Sequence, residues 1–233
     1  MRTIILLLAL TFSVGCHAQN KDFMIQSATV DYHQELDQFV FSIVVEGTAG
    51  KTTPTPAGQM DGAPVEGYVF PTTLKSSQVG FSDTDGIVAL ALTSHPDFDD
   101  TPLWDENKDT KCDNDGIVWH PHWVVLTKDD RVEGGLAVKQ FNKEDKSVVL
   151  PPTNPGMPMY MDSPGYPVIT KGNSIKVIVP GYRIHAKQDF KFDGVAAFMK
   201  VNTSNTNLPM LGVYKVHSVA SGNLSLPYTV SSN

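Results

Sequence analysis

The sequence predicts an all-β fold: an antiparallel β-sandwich or jelly-roll-like pair of sheets, with long Pro/Gly-rich and acidic loops. Apolar residues alternate with polar ones or run in short blocks, whereas the i, i+3, i+4 spacing of an amphipathic helix is hard to find. Sixteen prolines and eighteen glycines cut the chain at short intervals, as turns between many strands require.

The first 18 residues read as a secretory signal: a cation at Arg2, an apolar run from Thr3 to Val14, then small residues. The run is too short for a retained membrane span. Two cleavage patterns overlap there. Ser13-Val14-Gly15-Cys16 resembles a bacterial lipobox, which would make Cys16 the lipidated first residue, and Cys16-His17-Ala18 offers a small-x-small site for ordinary signal peptidase. Both place the protein outside the cytoplasm, in the periplasm or anchored at the outer membrane, with secretion as the alternative.

The remaining residues, 19–233, are expected to form a single β domain with a possible sub-lobe division near 155. In QFVFSIVVEG, Phe39, Phe41, Ile43 and Val45 alternate. Further strand candidates are VEGYVF (65–70), GIVALALTS (86–94), IVWHPHWVVL (117–126), LAVKQF (136–141), SIKVIVPGYRI (174–184), GVAAFMKV (194–201) and MLGVYKVHSV (210–219). Between them, KTTPTPAG (51–58) and VVLPPTNPGMPMYMDSPGYP (148–167) are Pro-rich and predicted to be extended connections.

Composition narrows the partners. The net charge of −7 gives no basic face for phosphates and argues against nucleic acid. A membrane is met only through the possible lipid anchor. Cys16 and Cys112 are the only cysteines, so loss or lipidation of Cys16 leaves no intramolecular disulfide.

Residues 95–123 concentrate three of the seven histidines and eight of the 25 acidic residues. In DENKDTKCDNDG, Asp105, Asn107, Asp109 and Asp113 occupy the first, third, fifth and ninth positions, with the Lys111 carbonyl at the seventh. Alternating oxygen ligands of this kind wrap a hard cation such as calcium. The spacing resembles an EF-hand loop and, more closely, the short Excalibur calcium motif, with counterparts at Asp105, Asn107, Asp109, Cys112 and Asp113. Thr110 stands where both motifs have Gly, and Gly116 where the EF-hand has a bidentate Glu. The resemblance covers residues 105–116 only; it implies calcium binding there, beside the plain reading of a solvated acidic turn.

His120 and His122 are two residues apart. On a strand both leave one face, about 7 Å apart, with Val118, Val124 and Leu126, while Trp119, Trp123 and Val125 take the other. Such a pair needs a third ligand to hold zinc or copper. His95 is the first candidate, and Asp97 is next, with Asp99 and Asp100 beside it. The alternative is a pair of hydrogen-bonded histidines near Pro121 at a strand edge or bulge. An echo between DTDGIVALALTSHP (83–96) and DNDGIVWHPHWVVL (113–126) suggests two similar strands entered by acidic turns at corresponding ends. The aromatics Phe98, Trp104, Trp119 and Trp123 would let a small apolar or sugar-like ligand stack nearby, or would be core. His33, His185 and His217 are expected to be structural or superficial.

Met157, Met159 and Met161 alternate in an extended segment and offer thioethers suited to copper(I), as a copper site separate from the histidines. No Gly-x-Ser-x-Gly elbow, phosphate loop or HExxH motif is present. The expected function is therefore a non-catalytic, metal-binding β domain of the bacterial envelope. A metal-dependent hydrolase or oxidase using His95, His120 and His122 is one alternative, and a periplasmic copper-binding protein using the three methionines is another.

Overall fold

The computed structural model describes residues 19–55, 60–96, 109–111 and 118–232. They form fourteen strands and short 3-10 turns, with no α-helix among the described residues. The strands are β1 (Ile25–His33), β2 (Gln38–Val45), β3 (Pro64–Pro71), β4 (Ile87–Ser94), β5 (His120–Lys128), β6 (Leu136–Val138) and β7 (Met161–Asp162). They continue with β8 (Val168–Lys171), β9 (Ser174–Pro180), β10 (Lys191–Phe192), β11 (Val195–Val201), β12 (Leu211–Val219), β13 (Tyr228–Thr229) and β14 (Ser231–Ser232).

All eight segments with apolar alternation or apolar blocks are strands, so the all-β expectation holds. The strand predicted over 174–184 stops at Pro180, and Gly181–Ile184 is a 3-10 turn. Among the strands not foreseen, β1 reads IQSATVDYH; its buried residues Ala28, Val30 and Tyr32 are fewer than those of the neighbouring β2.

Five strands form an open sheet in the order β14-β1-β2-β9-β8. A second sheet runs β4-β3-β11-β12-β6-β5, and β5 pairs back onto β4, so that these six strands close into a barrel with β7 added along part of β5. Closure leaves the barrel strands with two faces, both apolar. The outward residues Tyr68, Phe70, Leu90, Leu92, Trp123 and Val125 meet Phe39, Phe41, Ile43, Ile175, Val177 and Val179 of the open sheet in one core. The packing is specific: Phe41 is edge-on to Phe70 and Trp123, with centroids 5.3 and 6.3 Å apart. The inward residues Val65, Val69, Ala89, Ala91, Val124, Ala197 and Met199 form a second core inside the barrel.

This double burial explains why β4, β5 and β11 read as continuous apolar runs rather than alternating ones. Small inward residues on β3, β4 and β11 keep the barrel from being filled. At Gly67 on β3 a Cβ would lie 2.6 Å from the Met199 Cε, so the flexible thioether end would have to move aside for any larger residue. Register shifts in the β11–β12 pair at Ala196/Ala197 and Phe198/Met199 are bulges that help a small sheet curl into closure.

The two segments of the echo, 83–96 and 113–126, supply neighbouring strands. β4 and β5 lie side by side but antiparallel, with Ile87 opposite Leu126 and Thr93 opposite His120. The end of one strand therefore meets the start of the other. The Asp-Gly turns have their own local work: Asp61 accepts the Thr203 and Ser204 amides at 2.7 and 3.1 Å, and buried Asp193 accepts the Gly194 and Ser221 amides.

Candidate metal centre

Strand alternation places His120 and His122 on the barrel's inner face, in line with Val124 and Leu126, while Trp119, Trp123 and Val125 enter the outer core. Pro121 is tolerated because β5 has a single neighbour there: opposite Leu92 it pairs with β4, and β7 and β6 join only at residues 123–124 and 126–128. The antiparallel register then brings the end of β4 across, so that His95 follows Thr93 on the same inward face. The three histidines are 3 %, 2 % and 3 % exposed for His95, His120 and His122.

One ring nitrogen from each histidine lies within 4.8 Å of those of the other two. The closest pair is His120 Nε2 and His95 Nε2, at 2.9 Å. Backbone acceptors decide the tautomers of these two rings. His120 Nδ1 is 2.6 Å from the Val118 carbonyl, and His95 Nδ1 is 2.9 Å from that of Pro96. A carbonyl only accepts, so each Nδ1 carries the proton, and each Nε2 of a neutral ring presents a lone pair. Two lone pairs at this distance repel, and a cation that takes both, or a shared proton, relieves the contact. His122 is held by its Nδ1, 2.9 Å from Ser163 Oγ.

Protonation of His120 or His122 is costly. Burial pushes His120 well below the ordinary imidazole range, and the charges of His95 and His122 push the same way. Burial, with the charge of His95, brings His122 down to about 3. His120 and His122 are thus held as neutral imidazoles, the form in which a zinc or copper ion takes its ligands.

Next to the imidazoles the barrel holds a cavity of about 120 Å³, lined by His95, His122 and Thr93 and otherwise by apolar side chains. Met157, Met159 and Met161 all line it, because β7 pairs Met161 with Val124, one inward step from His122. The methionine segment thus belongs to the histidine region, not to a separate site. The Thr93 hydroxyl, 4 % exposed, is a buried polar group with no hydrogen-bond partner among the described residues.

The remaining candidates divide. Asp97, Asp105, Asn107 and Asp113 of the proposed ligand sets lie outside the described residues, as do Asp99, Asp100, Phe98, Trp104, Cys112 and Cys16. Asp109 and Lys111 are described: the Lys111 amide donates to Asp109 Oδ1 at 3.0 Å, and Thr110 takes φ 72. Thr110 thus holds a left-handed backbone conformation that ordinarily favours Gly. Trp119 and Trp123 are core and do not face the site; Trp119 donates to the Gly50 carbonyl and Trp123 to Tyr166 Oη, at 2.8 and 3.3 Å. His217 stacks on Phe23 and lies 3.1 Å from Glu66 Oε2, a structural role.

Sequence reasoning missed Ser163 and Thr93. Thr93 was accessible, being two residues before His95 on the same strand face. Ser163 has no local signal, since only the β5–β7 register puts it opposite His122. No helix among the described residues is long and apolar enough to cross a membrane. No family model, curated protein or solved structure matches this chain, so the reading of the site rests on its own geometry.

Proposed function

We propose that this protein binds a transition metal at the barrel end through His95, His120 and His122. The observation that carries the reading is the 2.9 Å approach of two Nε2 atoms whose Nδ1 partners are both carbonyl oxygens. Three nitrogen ligands suit zinc or copper(II), leaving a position for water or an exogenous ligand. The test is metal analysis of the purified full chain before and after chelation and reloading, with His95→Ala, His120→Ala and His122→Ala alongside. About one equivalent in the parent and its loss in each variant is expected. Uptake below about a tenth of an equivalent, with neither zinc nor copper retained on reloading, overturns the proposal.

Copper has a specific observation in its favour: Met157, Met159 and Met161 line the same cavity as His95 and His122. Soft thioethers beside imidazoles suit copper(I), and preferential retention of copper over zinc after equimolar loading would select this version.

The wider reading is an exported protein of the bacterial envelope, lipid-anchored through Cys16. A calcium ion held by Asp105, Asn107, Asp109, the Lys111 carbonyl and Asp113 belongs to the same proposal. Membrane partitioning that persists in Cys16→Ser defeats the anchor, and calcium titration that releases no heat defeats the loop. Metal-assisted hydrolysis or oxidation at the histidines is the catalytic alternative, and nothing in the described residues supplies a base beside them.

A further inference from the structure

The two faces of the barrel strands are built differently. On β4 the outward residues are Val88, Leu90 and Leu92, and the inward ones are Ala89 and Ala91. On β3, Tyr68 and Phe70 face out, whereas Val65, Gly67 and Val69 face in. Even a barrel of about eight strands is only just wide enough for its own side chains to fill. Residues as large as those outside would therefore fill this smaller one, and the small inward residues instead leave a cavity of about 120 Å³.

Among the described residues its wall is apolar apart from Thr93, His95 and His122. The Thr93 hydroxyl has under 1 Å² of exposed surface, so the cavity meets that residue through carbon. Four of the chain's eight methionines, Met157, Met159, Met161 and Met199, stand in the wall, and flexible thioethers adapt to an occupant's shape. An apolar cavity of this kind stays dry, and one of roughly 150 Å³ takes up benzene. Left unfilled, it forfeits the contacts its lining would make.

The cavity reaches the surface at β12. Val216 belongs to its wall and is 44 % exposed, and Val219 and Leu224, also of the wall, are half-buried. Leu224 holds φ 56, a left-handed backbone that a leucine rarely adopts. Buried Asp193 fixes the start of this loop, accepting the Ser221 amide at 3.1 Å and the Ser221 hydroxyl. Strain of this sort persists only where surrounding structure holds it, and here it sets a leucine side chain at the cavity mouth.

We propose that the barrel interior binds a small uncharged hydrocarbon group, about the size of benzene, that enters past Leu224 and is held by the valines and methionines of the wall. Shape and buried apolar area select the occupant, with no polar contact needed. The site does not rest on the metal reading, and the ligand is not asked to touch the histidines.

The test uses the full chain with isotope-labelled methionine methyl groups, zinc-loaded and chelated, titrated with benzene and followed by NMR, with metal content measured on the same samples. Ring currents should shift the methyls of Met157, Met159, Met161 and Met199 saturably and leave that of Met24, which precedes β1, in place. The affinity should be the same with and without zinc. Ala197→Leu, which fills the lumen from β11, should abolish the shifts in a protein that still unfolds cooperatively. Ala91→Val, a smaller step into the same space should the leucine variant not fold, should weaken binding. Leu224→Gly, which suits the left-handed backbone and clears the mouth, should speed benzene exchange, and unchanged exchange overturns the entry route. Absence of saturable shifts at the four methyls overturns the proposal, as does undiminished binding in the filled variants. Benzoate binding that requires zinc, without benzene binding, also overturns it, since the occupant would then be held by its head group at the metal. A chain that retains no metal yet binds benzene keeps this site and loses the metal centre, so the two failures are separable.

Discussion

His120 Nε2 lies 2.9 Å from His95 Nε2, and each ring is anchored by a carbonyl at its other nitrogen. Two consecutive antiparallel strands thus aim ring nitrogens at one point, where a cation would take both. Zinc or copper should therefore stabilise the fold strongly. At a free concentration about a hundredfold above Kd, binding adds about 2.7 kcal/mol, or roughly 5–10 °C in a domain of this size. Thermal unfolding with and without metal measures it, and His120→Ala should abolish the response. An identical metal-induced shift in that variant would assign the stabilisation to some other site.

Ser163 positions His122 without reaching the metal point itself. Its Oγ is 2.9 Å from His122 Nδ1, and such outer partners typically tune metal affinity by about 10- to 100-fold. Ser163→Ala should weaken metal binding by that factor while leaving the stoichiometry at one, and Ser163→Thr should recover part of the loss. Competition with a chromophoric chelator reads the affinity directly.

Behind the site, Asp162 is fully buried and its Oδ2 is 3.1 Å from Arg183 Nη2, while Oδ1 accepts Thr153 Oγ1 at 2.5 Å. Burial raises its carboxyl above the ordinary range, against the hydrogen bond from Thr153 and the charge of Arg183. Removing the cation alone leaves a buried carboxylate unpaired. Arg183→Met should cost about 3 kcal/mol or more, and adding Asp162→Asn should recover much of it. Denaturant unfolding of the two singles and the double variant measures the coupling.

Two buried tyrosines fix the alkaline limit. Burial pushes Tyr68 up to about 12, and it does the same to Tyr166; Tyr68 also donates to the Asp22 carbonyl at 2.7 Å. Their folded values lie above the unfolded one, near 10, so the fold favours the protonated phenols. This contribution is fully present below about pH 10 and is lost as pH rises from about 10 toward 12. Phenolate absorbance should show Tyr68 and Tyr166 ionising late, together with unfolding, and Tyr68→Phe should remove one of these two. Ionisation of all the tyrosines near pH 10 with the fold intact would contradict the packing.

Much of this was legible along the chain. Alternation put His120 and His122 on one face and the tryptophans on the other, because a strand's side-chain period is two whatever it pairs with. The apolar segments marked eight strands correctly, and His95 is the first candidate for a third nitrogen. What brings His95 to His120 is the antiparallel pairing of β4 and β5, which sets the end of one strand against the start of the other.

What the amino-acid order determined by itself is local: the strand class, the faces, the residue chemistry and the sharp turns. Tertiary structure decided that six strands close on themselves, giving β4 and β5 two buried faces and creating an interior where none was predicted. It also decided that Met161 and Ser163 lie beside His122, through a two-residue ladder between β5 and β7. Strand partners and register are set by non-local backbone pairing and by how both faces pack, and no spacing within a single segment carries that information.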